Sequence, residues 1–503
     1  MEPYDTAVDA DPFATSRNVF DSLVGELEGD PAGQLTHDRL EDLVEGRGRQ
    51  VLRQLLQDHL DLRAVREEAD LSARLDRGER PVGRSRLERG HHRMLATVVG
   101  AVTVHRCALR APGHANVYPA DAGLGLPDGR HSHGLRRLAV LEAVRGSFDT
   151  AREAIWRRCG PVAGKRQTEA LVQAAAADID AFYQQRVAAP CTVDTLLVLS
   201  ADGKGIVMRP EALREATRKA AARATSTFRT RLAAGEKANR KRMATLATVY
   251  DAAPAPRRPH DVIAVPGGRC GHRARRPGPR AAAKWLTGSV DKAPDAVIAA
   301  AFDQAEARDP DHQRPWIVLV DGARHQIDLI AAEATRRHAT VHIVLDLIHV
   351  LEHLWTAAWC FHARGDPAAE DWVAARALQI LAGHAHDAAD AIDTQATTAG
   401  LTGDQRHGAD ATVGYLRDHD EYLRYDTALE HGWPIATGVI EGACRHLIAD
   451  RLDITGARWG LPGAEAILTL RALIDNGDFD AYWRFHLTRE HQRVHPDPYQ
   501  LAS

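Results

Sequence analysis

Two apolar runs, each ending in an acidic residue, constrain the fold of this chain more than any other feature of its sequence. The run LLVLSA leads to Asp202, the run IVLV leads to Asp321, and glycine follows each aspartate. Runs of Leu, Val and Ile of this length predict buried strands, and Asp-Gly predicts a turn at the strand end. Glu441 opens a later segment with helical periodicity. The sequence therefore predicts an α/β protein in which two strand-end carboxylates and one helix carboxylate converge.

The three carboxylates have the chemistry of a divalent-metal site. Taken singly, each has an ordinary explanation, because Asp-Gly is a common turn and a glutamate in a first helical turn complements the helix dipole. The combination is more specific, since Mg²⁺ takes oxygen ligands and a pair of metal ions stabilises the attacking and leaving oxygens of a phosphodiester. Asp202, Asp321 and Glu441 are therefore the predicted catalytic residues and metal ligands, with Mg²⁺ as the expected cofactor and Mn²⁺ as its substitute.

Basic charge is concentrated in one part of a chain that is slightly acidic overall. The 503 residues carry a formal net charge of -4 at pH 7, yet residues 209–284 contain 19 Lys and Arg against 5 Asp and Glu. Such a patch neutralises backbone phosphates and favours binding to nucleic acid. A solvated basic helix with Arg-rich loops explains the same run. The candidate DNA contacts in and beside this stretch are Lys204, Arg240, Lys241 and Arg242.

The N-terminal part of the chain is predicted to be mainly helical. Residues 1–30 contain eight acidic residues and one basic residue, with few apolar ones, which predicts an acidic disordered tail. Residues 31–127 combine leucines at helical spacing, interrupted by Gly46 and Gly48, with a β-branched stretch around Gly100. We therefore expect one or two amphipathic helices followed by a β-hairpin.

Residues 128–190 contain three short helical segments whose lengths suit a helix-turn-helix DNA-binding region. Lys165 and Arg166 stand at the start of the third segment. In a helix-turn-helix, residues near that position reach base edges or phosphates in the major groove. A small helical bundle that only connects domains is the alternative, and no motif in the sequence separates the two.

Residues 191–346 are the first part of a predicted catalytic core. Strands are predicted within residues 193–208, 241–254, 315–323 and 339–350, and a helix over residues 296–308. The chain then becomes helical, so residues 347–430 are predicted to form an all-α insertion. Residues 431–490 supply the C-terminal helices of the core, including the one that carries the glutamate. A polar tail over residues 491–503 ends the chain.

A further acidic element follows the last predicted strand. It begins with Asp346 and His349, and Glu352 and His353 come directly after them. The two histidines are four residues apart, a spacing that puts both rings on one helix face and can hold zinc. The glutamate does not directly follow the first histidine, so the HExxH order of zinc hydrolases is absent. His349 is therefore predicted to be a hydrogen-bonding residue near the acidic site, with a plain contact of an amphipathic helix as the alternative.

Composition indicates a cytoplasmic protein with no membrane partner. No run approaches the roughly 18 apolar residues of a membrane span, and the acidic start lacks the basic and apolar regions of a signal peptide. The six cysteines are scattered without a CxxC pair. Neither a zinc ribbon nor a disulfide framework is indicated, which fits a reducing compartment.

The order of these motifs resembles a known family. The motifs SADGKG, VDGARHQ and DxxH, followed by GWPIATGVIEGACRHLIADRLDITGARWG, closely resemble those of ISKra-type insertion-sequence transposases, within the Mutator-like group of DDE transposases. The resemblance is specific in the C-terminal third and looser from residue 131 onward. It implies a ribonuclease-H-like core interrupted by a helical insertion between the second Asp and the Glu.

The resemblance also implies an activity. Asp202, Asp321 and Glu441 match the catalytic triad, and Asp346 with His349 matches the accompanying DxxH element. The expected protein binds the terminal inverted repeats of an insertion sequence, cleaves them with the help of Mg²⁺ and joins the 3′-hydroxyl ends to target DNA. Its partners are then double-stranded DNA and further copies of itself, in the bacterial cytoplasm at the nucleoid.

Basic residues near the glutamate are candidates for contacts to phosphate. They are Arg445, Arg451 and Arg458, with pairing to nearby aspartates as the alternative. Trp459 is more simply explained as a core aromatic than as a stacking wedge. Two other functions stay open on the sequence. One is a DNA-binding protein that has lost catalysis, and the other is a ribonuclease-H-like nuclease that cleaves without joining.

Overall fold

A computed structural model describes residues 11–80, 83–186, 192–223, 241–264, 275–454 and 456–495. The chain divides into a first unit, Met1–Gln184 with Phe479–Ser503, and a second unit, Gln185–Asp478. The division near residue 185 lies close to the predicted end of the helix-turn-helix region. The second unit contains all three candidate carboxylates.

The first unit begins with helices and a hairpin. Its leading elements are α1 (Ala14–Glu28), α2 (Asp30–Gly33), α3 (His37–Asp76), β1 (Arg86–Thr97), β2 (Gly100–Arg110) and α4 (Pro119–Gly123). The antiparallel hairpin is confirmed, with Thr97 paired to Gly100 across the turn. Gly46 and Gly48 do not interrupt α3, because packing against α1 and β2 outweighs the helix cost of about 1 kcal/mol per glycine.

The predicted disordered tail over residues 1–30 is wrong for its described part. Helix α1 occupies most of it, Leu23 is buried, and the backbone N–H of Ser16 donates to Asp58 Oδ2 in α3 at 2.9 Å. The few apolar residues of α1 are enough for helix formation because α3 covers one of its faces. Residues 1–10 lie outside the described residues.

Short helices follow in the region predicted as helix-turn-helix. They are α5 (His133–Arg145), α6 (Phe148–Cys159), α7 (Lys165–Ala175) and α8 (Ile179–Gln185). The side chains of Ser132 and Ser147 cap α5 and α6 by accepting backbone N–H groups, which fixes where those helices begin. The third predicted segment is divided between α7 and α8.

Within the described residues, five strands of the second unit form one mixed sheet in the order β5-β4-β3-β6-β7. They are β3 (Leu196–Val207), β4 (Lys241–Ala252), β5 (Ala281–Ser289), β6 (Trp316–Val320) and β7 (Val341–Leu345). β3, β4 and β5 pair antiparallel, whereas β3, β6 and β7 run parallel. Strands at β3, β4, β6 and β7 are confirmed. Strand β5 was not predicted, because its alanine-rich start lacks a strand pattern.

Helices fill the rest of the second unit. They are α9 (Glu215–Arg223), α10 (Pro259–Val262), α11 (Pro294–Arg308), α12 (Arg324–Arg336), α13 (Leu347–Phe361), α14 (Pro367–Leu381), α15 (Ala385–Thr398), α16 (His407–Asp418), α17 (Tyr425–Glu430), α18 (Gly438–Ala443) and α19 (Leu461–Asp475). Residues 347–430, all of them described, are helical as predicted and contain no strand. We call them the helical region.

The last helix, α20 (Phe479–Val494), belongs to the first unit. The prediction that residues 431–490 all serve the core is therefore wrong for their final part. Asp178 explains the difference, because this buried carboxylate accepts hydrogen bonds from His486 and Arg493 of α20. The predicted tail over 491–503 is helical as far as Val494. Across the described residues, no helix is long and apolar enough to cross a membrane.

Candidate acidic site

The parallel strands set three aspartates in one row. Ser200 of β3 pairs with Leu319 of β6, and Val320 of β6 pairs with Leu345 of β7. When these registers are continued by one or two residues, Asp202, Asp321 and Asp346 fall side by side. The predicted strand end and turn at Asp202 are wrong, because β3 continues to Val207 through its pairing with β4. Parallel strands present their carboxyl ends at one edge of a sheet, where α/β proteins commonly bind ligands. The fold thus converts three distant sequence positions into one acidic edge.

Glu441 reaches the same place from α18. The backbone N–H of Thr437 donates to Asp346 Oδ1 at 3.0 Å, and the Thr437 hydroxyl donates to Glu441 Oε1 at 2.9 Å. Thr437 therefore joins the start of α18 to the end of β7. The four carboxylates share a cavity of about 120 Å³. Its lining is Ala201, Asp202, Asp321, Asp346, Ile348, His349, Glu352, Thr437, Ile440 and Glu441.

The predicted triad and its two auxiliary residues are all brought to this cavity. Asp202 accepts hydrogen bonds from its neighbour Gly203 N–H at 2.5 Å and from Cys444 Sγ at 3.1 Å. Asp321 Oδ1 accepts the backbone N–H of Ala323 at 2.9 Å, which closes the turn after β6. In the part of the chain that the structure describes, Asp321 Oδ2 and Glu441 Oε2 accept no hydrogen bond. Those two oxygens are therefore available to a ligand.

Asp346 has a different environment from the triad. It is buried and caps α13, with its carboxylate accepting the backbone N–H groups of Ile348 and His349 at 3.3 Å as well as that of Thr437. Three N–H donors satisfy the hydrogen-bonding capacity of this buried carboxylate. His349 Nδ1 lies 3.2 Å from Glu352 Oε2. Asp346 thus organises the site by joining α13 to the segment before Glu441.

Nearby basic groups offset only part of the negative charge in the cavity. Glu352, the fifth carboxylate of its lining, contacts His349, and the charge of Lys204 acts on Cys444, which donates to Asp202. Among the described residues, none of the four carboxylates forms an ion pair with a basic side chain. Neighbouring groups respond to this charge. Burial is the largest cause of the raised pKa of the Cys444 thiol, and the negative charge of Asp202 raises that pKa further. Likewise, burial and then the charges of Asp321 and Asp346 raise the pKa of Tyr415. A site of this kind attracts cations.

The donor set suits Mg²⁺ or Mn²⁺, because carboxylate oxygens are the ligands such hard ions take. The side chains do not form a closed cage: across the described residues, no three His, Cys, Asp or Glu groups stand close enough together to hold a metal ion. The carboxylates thus line one cavity without standing close enough together to enclose an ion.

A π-helical segment, Cys444–Ala449, continues α18 directly after the glutamate. Such segments interrupt the regular hydrogen-bond pattern and are frequent at functional sites. Here the segment begins with Cys444, whose thiol donates to Asp202. It therefore links α18 to β3 beneath the cavity.

Several predicted DNA contacts in the basic stretch are bound internally. Lys204 is exposed, two residues beyond Asp202. The Lys241 ammonium pairs with Asp453 at 2.8 Å. The guanidinium of Arg242 is largely covered and donates to the carbonyls of Val290, Ala212 and Asp291. The prediction for Arg242 is wrong, because its donors tie loops of the second unit together. Arg240 lies outside the described residues.

The arginines that follow Glu441 differ from one another. Arg445 and Arg458 are exposed. Arg451 is 3% exposed and lies over the Trp459 ring at 4.7 Å, and burial lowers its pKa to about 10. The prediction that Arg451 contacts phosphate is therefore wrong, since a buried side chain cannot reach DNA. Trp459 is a core aromatic, as expected, and its indole N–H donates to the Leu452 carbonyl at 2.9 Å.

In the first unit, Lys165 and Arg166 are exposed at the start of α7. The Lys165 ammonium pairs with Asp149 of α6. His353, which the zinc alternative required, stacks on Tyr415 with ring centroids 3.9 Å apart. Burial lowers the pKa of His353, and the charge of His349 lowers it further.

Sequence reasoning missed Thr437, Cys444, Tyr415 and His419. Thr437 precedes Glu441 by one helical turn and Cys444 follows it by three residues, so helical spacing was a usable signal for both. Tyr415 lies in α16, His419 directly follows the end of that helix, and both approach the turn after Asp321. No local pattern connects residues that are so far apart in the chain.

A comparison with models of protein families finds no match to this chain, and a comparison with curated proteins finds none either.

Proposed function

We propose that this chain is a DDE-type DNA transposase that cleaves and joins DNA at the acidic site. One observation carries the proposal: Asp202, Asp321 and Glu441 line a single cavity together with Asp346 and His349. These are the residues that the motif resemblance assigns to the catalytic triad and its auxiliary element.

The sheet supports a ribonuclease-H-like core as part of this proposal. Three antiparallel strands are followed by two parallel ones, with Asp202 inside β3 and Asp321 directly after β6, an arrangement that agrees with such a core. The helical region lies in the sequence between Asp321 and Glu441, where the resemblance expects an all-α insertion. The mixed α/β fold is thus compatible with the proposed family.

The chemistry assigned to the site is transesterification. Asp202, Asp321 and Glu441 would hold Mg²⁺, or Mn²⁺ in its place, and a bound pair of such ions stabilises the attacking and leaving oxygens of a phosphodiester. In cleavage, water attacks the phosphorus and a 3′-hydroxyl leaves. In joining, that 3′-oxygen forms a new bond to a target phosphorus, its proton passes to solvent, and a target 3′-oxygen leaves. Asp346 keeps α13 and Thr437 in register with the carboxylates throughout.

Double-stranded DNA is the proposed partner, as terminal inverted repeats and as target. In the second unit, exposed Lys204, Arg445 and Arg458 are available to hold phosphates by charge-assisted hydrogen bonds. Arg166 is the exposed candidate in the first unit, beside the paired Lys165. Joining two DNA ends to one target favours a homo-oligomer, and the proposed setting is the bacterial cytoplasm at the nucleoid.

The test uses supercoiled plasmid that carries the DNA flanking this gene. With Mg²⁺ or Mn²⁺, the wild-type protein is expected to nick the flanks and produce covalently joined DNA, whereas Asp202→Asn retains DNA binding without products. Nicks that never become joints would identify a nuclease instead. A mobility shift without any metal-dependent product would identify a DNA-binding protein without catalysis and overturn the proposal.

A further inference from the structure

We infer that α16 of the helical region is a clamp that positions the metal-binding carboxylate Asp321, through Tyr415 and His419. This inference rests on the proposed function and adds two positioning residues to it. Neither residue lines the acidic cavity. Both side chains contact backbone carbonyl groups of the turn that contains Asp321.

The turn after β6 leaves little room for variation. Gly322 has φ of +98°, in the left-handed region that favours glycine. A Cβ on Gly322 would lie 2.9 Å from Tyr415 Oη and 3.4 Å from Leu345 Cδ2. The close approach of Tyr415 therefore requires glycine here. The glycine that follows Asp321 is explained by this contact as well as by the turn.

Tyr415 and His419 bind consecutive carbonyl groups of the turn. The Tyr415 hydroxyl donates to the Asp321 carbonyl at 3.2 Å, and His419 Nε2 lies 3.0 Å from the Gly322 carbonyl oxygen. His419 Nδ1 lies 2.8 Å from the Tyr415 carbonyl, one helical turn earlier. The two contacts fix both peptide planes that follow β6. The backbone from which the Asp321 side chain projects is thereby held in one conformation.

Aromatic packing holds Tyr415 in its place. The His353 ring lies parallel to it, at 3.9 Å between centroids and 14° between planes, and the His349 ring meets it edge-on at 5.7 Å. His349 and His353 belong to α13, whose first turn is capped by Asp346. The clamp therefore connects α13, α16 and two of the acidic residues. It gives the helical region a direct role in the geometry of the site.

The physical consequence is an effect on metal affinity. Residues that hydrogen-bond to a metal ligand, and so orient it, typically change the affinity for the metal by about 10- to 100-fold when they are removed. A bond to the ligand's backbone, rather than to its carboxylate, belongs at the lower end of this range. Tyr415→Phe removes the hydroxyl and keeps the ring that stacks on His353. It should weaken Mn²⁺ binding about tenfold.

The experiment is a Mn²⁺ titration of the full-length protein, followed by the electron paramagnetic resonance of free Mn²⁺. Wild type is compared with Tyr415→Phe, His419→Gln and a matched control, Tyr482→Phe. The control loses a hydroxyl that donates to the Ala175 carbonyl in the first unit. We expect about tenfold weaker binding in the two clamp variants and unchanged binding in the control. Plasmid cleavage by the clamp variants should require more Mg²⁺ and recover when Mg²⁺ is saturating.

Each other outcome is decisive. If wild type binds Mn²⁺ and Tyr415→Phe and His419→Gln bind it equally well, the clamp is refuted and the proposed function stands. If the loss of cleavage in the clamp variants persists at saturating Mg²⁺ with wild-type Mn²⁺ affinity, their role is not positioning of Asp321. If wild type itself binds no Mn²⁺, the proposed function and the clamp fall together.

Discussion

The buried carboxylate of Asp178 in the first unit and the carboxylates of the acidic site in the second unit have different surroundings. In the first unit, Asp178 accepts hydrogen bonds from Arg493 at 2.7 and 2.9 Å and from His486 at 2.7 Å. In the second unit, the four carboxylates of the acidic site line one cavity, and within the described residues none of them pairs with a basic side chain. The first group is compensated by the protein, and the second is not.

The difference separates two uses of acidic residues. A buried carboxylate that is fully paired holds helices together, because removing either partner leaves an uncompensated charge. Carboxylates that converge without a basic partner repel one another, and they remain ionised when a cation balances them. The contrast supports a cation-binding role for the acidic site. The following predictions test that contrast, in order of decreasing effect.

Neutralising the acidic site should remove activity and leave the fold intact. Asp202→Asn, Asp321→Asn and Glu441→Gln are each expected to lower metal-dependent plasmid cleavage by about 10³-fold, a size typical for the loss of a group that stabilises charge in the transition state. Thermal unfolding should be unchanged or slightly raised, because repulsion is relieved. Cleavage assays and calorimetry on the same preparations measure both effects. Near-normal cleavage by any of the three would remove that residue from the triad.

Neutralising Asp178 should have the opposite profile. Asp178→Asn leaves Arg493 and His486 without their partner and is expected to cost about 3 kcal/mol of unfolding free energy in the first unit. Mn²⁺ binding by the second unit should not change. Urea denaturation and the Mn²⁺ titration separate the two results. A weakened Mn²⁺ site in this variant would contradict the contrast.

Arginine substitutions extend the contrast to the basic residues near Glu441. Arg451→Ala should destabilise the second unit by about 2 kcal/mol, because a buried side chain that packs on Trp459 is lost. Arg458→Ala, at an exposed position, should change stability by less than about 0.5 kcal/mol. It should also reduce the slope of log binding constant against log salt concentration by about one, the amount expected for one lost phosphate contact. Equal stability losses in the two variants would argue against the assignment of Arg451 to the core.

Lowering the pH should destabilise the first unit over a defined pH range. Burial alone would raise the pKa of Asp178, but the hydrogen bonds from Arg493 and His486 outweigh it and lower that pKa below its ordinary value of 3.8. Its stabilisation is therefore complete above about pH 4 and is lost as the pH falls through the lowered pKa. Unfolding of wild type and Asp178→Asn, followed from pH 7 to pH 3, should show the two stabilities converging at the acidic end. A difference that stays constant over this range would contradict the assignment.

The sequence predicted the parts of this structure that depend on local patterns. Apolar runs located β3, β6 and β7, and Asp202, Asp321 and Glu441 were predicted as one site from their combination and from the ligand preference of Mg²⁺. Glu441 was placed on a helix by periodicity. The structure brings these residues to a single cavity, and their role as metal ligands stays a prediction.

The parts that were missed depend on tertiary packing. Helix α1 forms because α3 covers its sparse apolar face, and composition gave no sign of that partner. Arg451 and Arg242 looked like their exposed neighbours in the sequence, and only the packed structure shows their burial. The contacts of Tyr415 with the turn after Asp321 join positions whose separation erases any periodic signal.

The central claim is that the uncompensated carboxylates bind a divalent cation, and calorimetric titration of the full-length protein with Mn²⁺ tests it most directly. Wild type is expected to bind Mn²⁺ saturably, while Asp321→Asn and Glu441→Gln lose this binding and Asp178→Asn keeps it. Absence of saturable binding in wild type, or equal binding in all four proteins, would contradict the account.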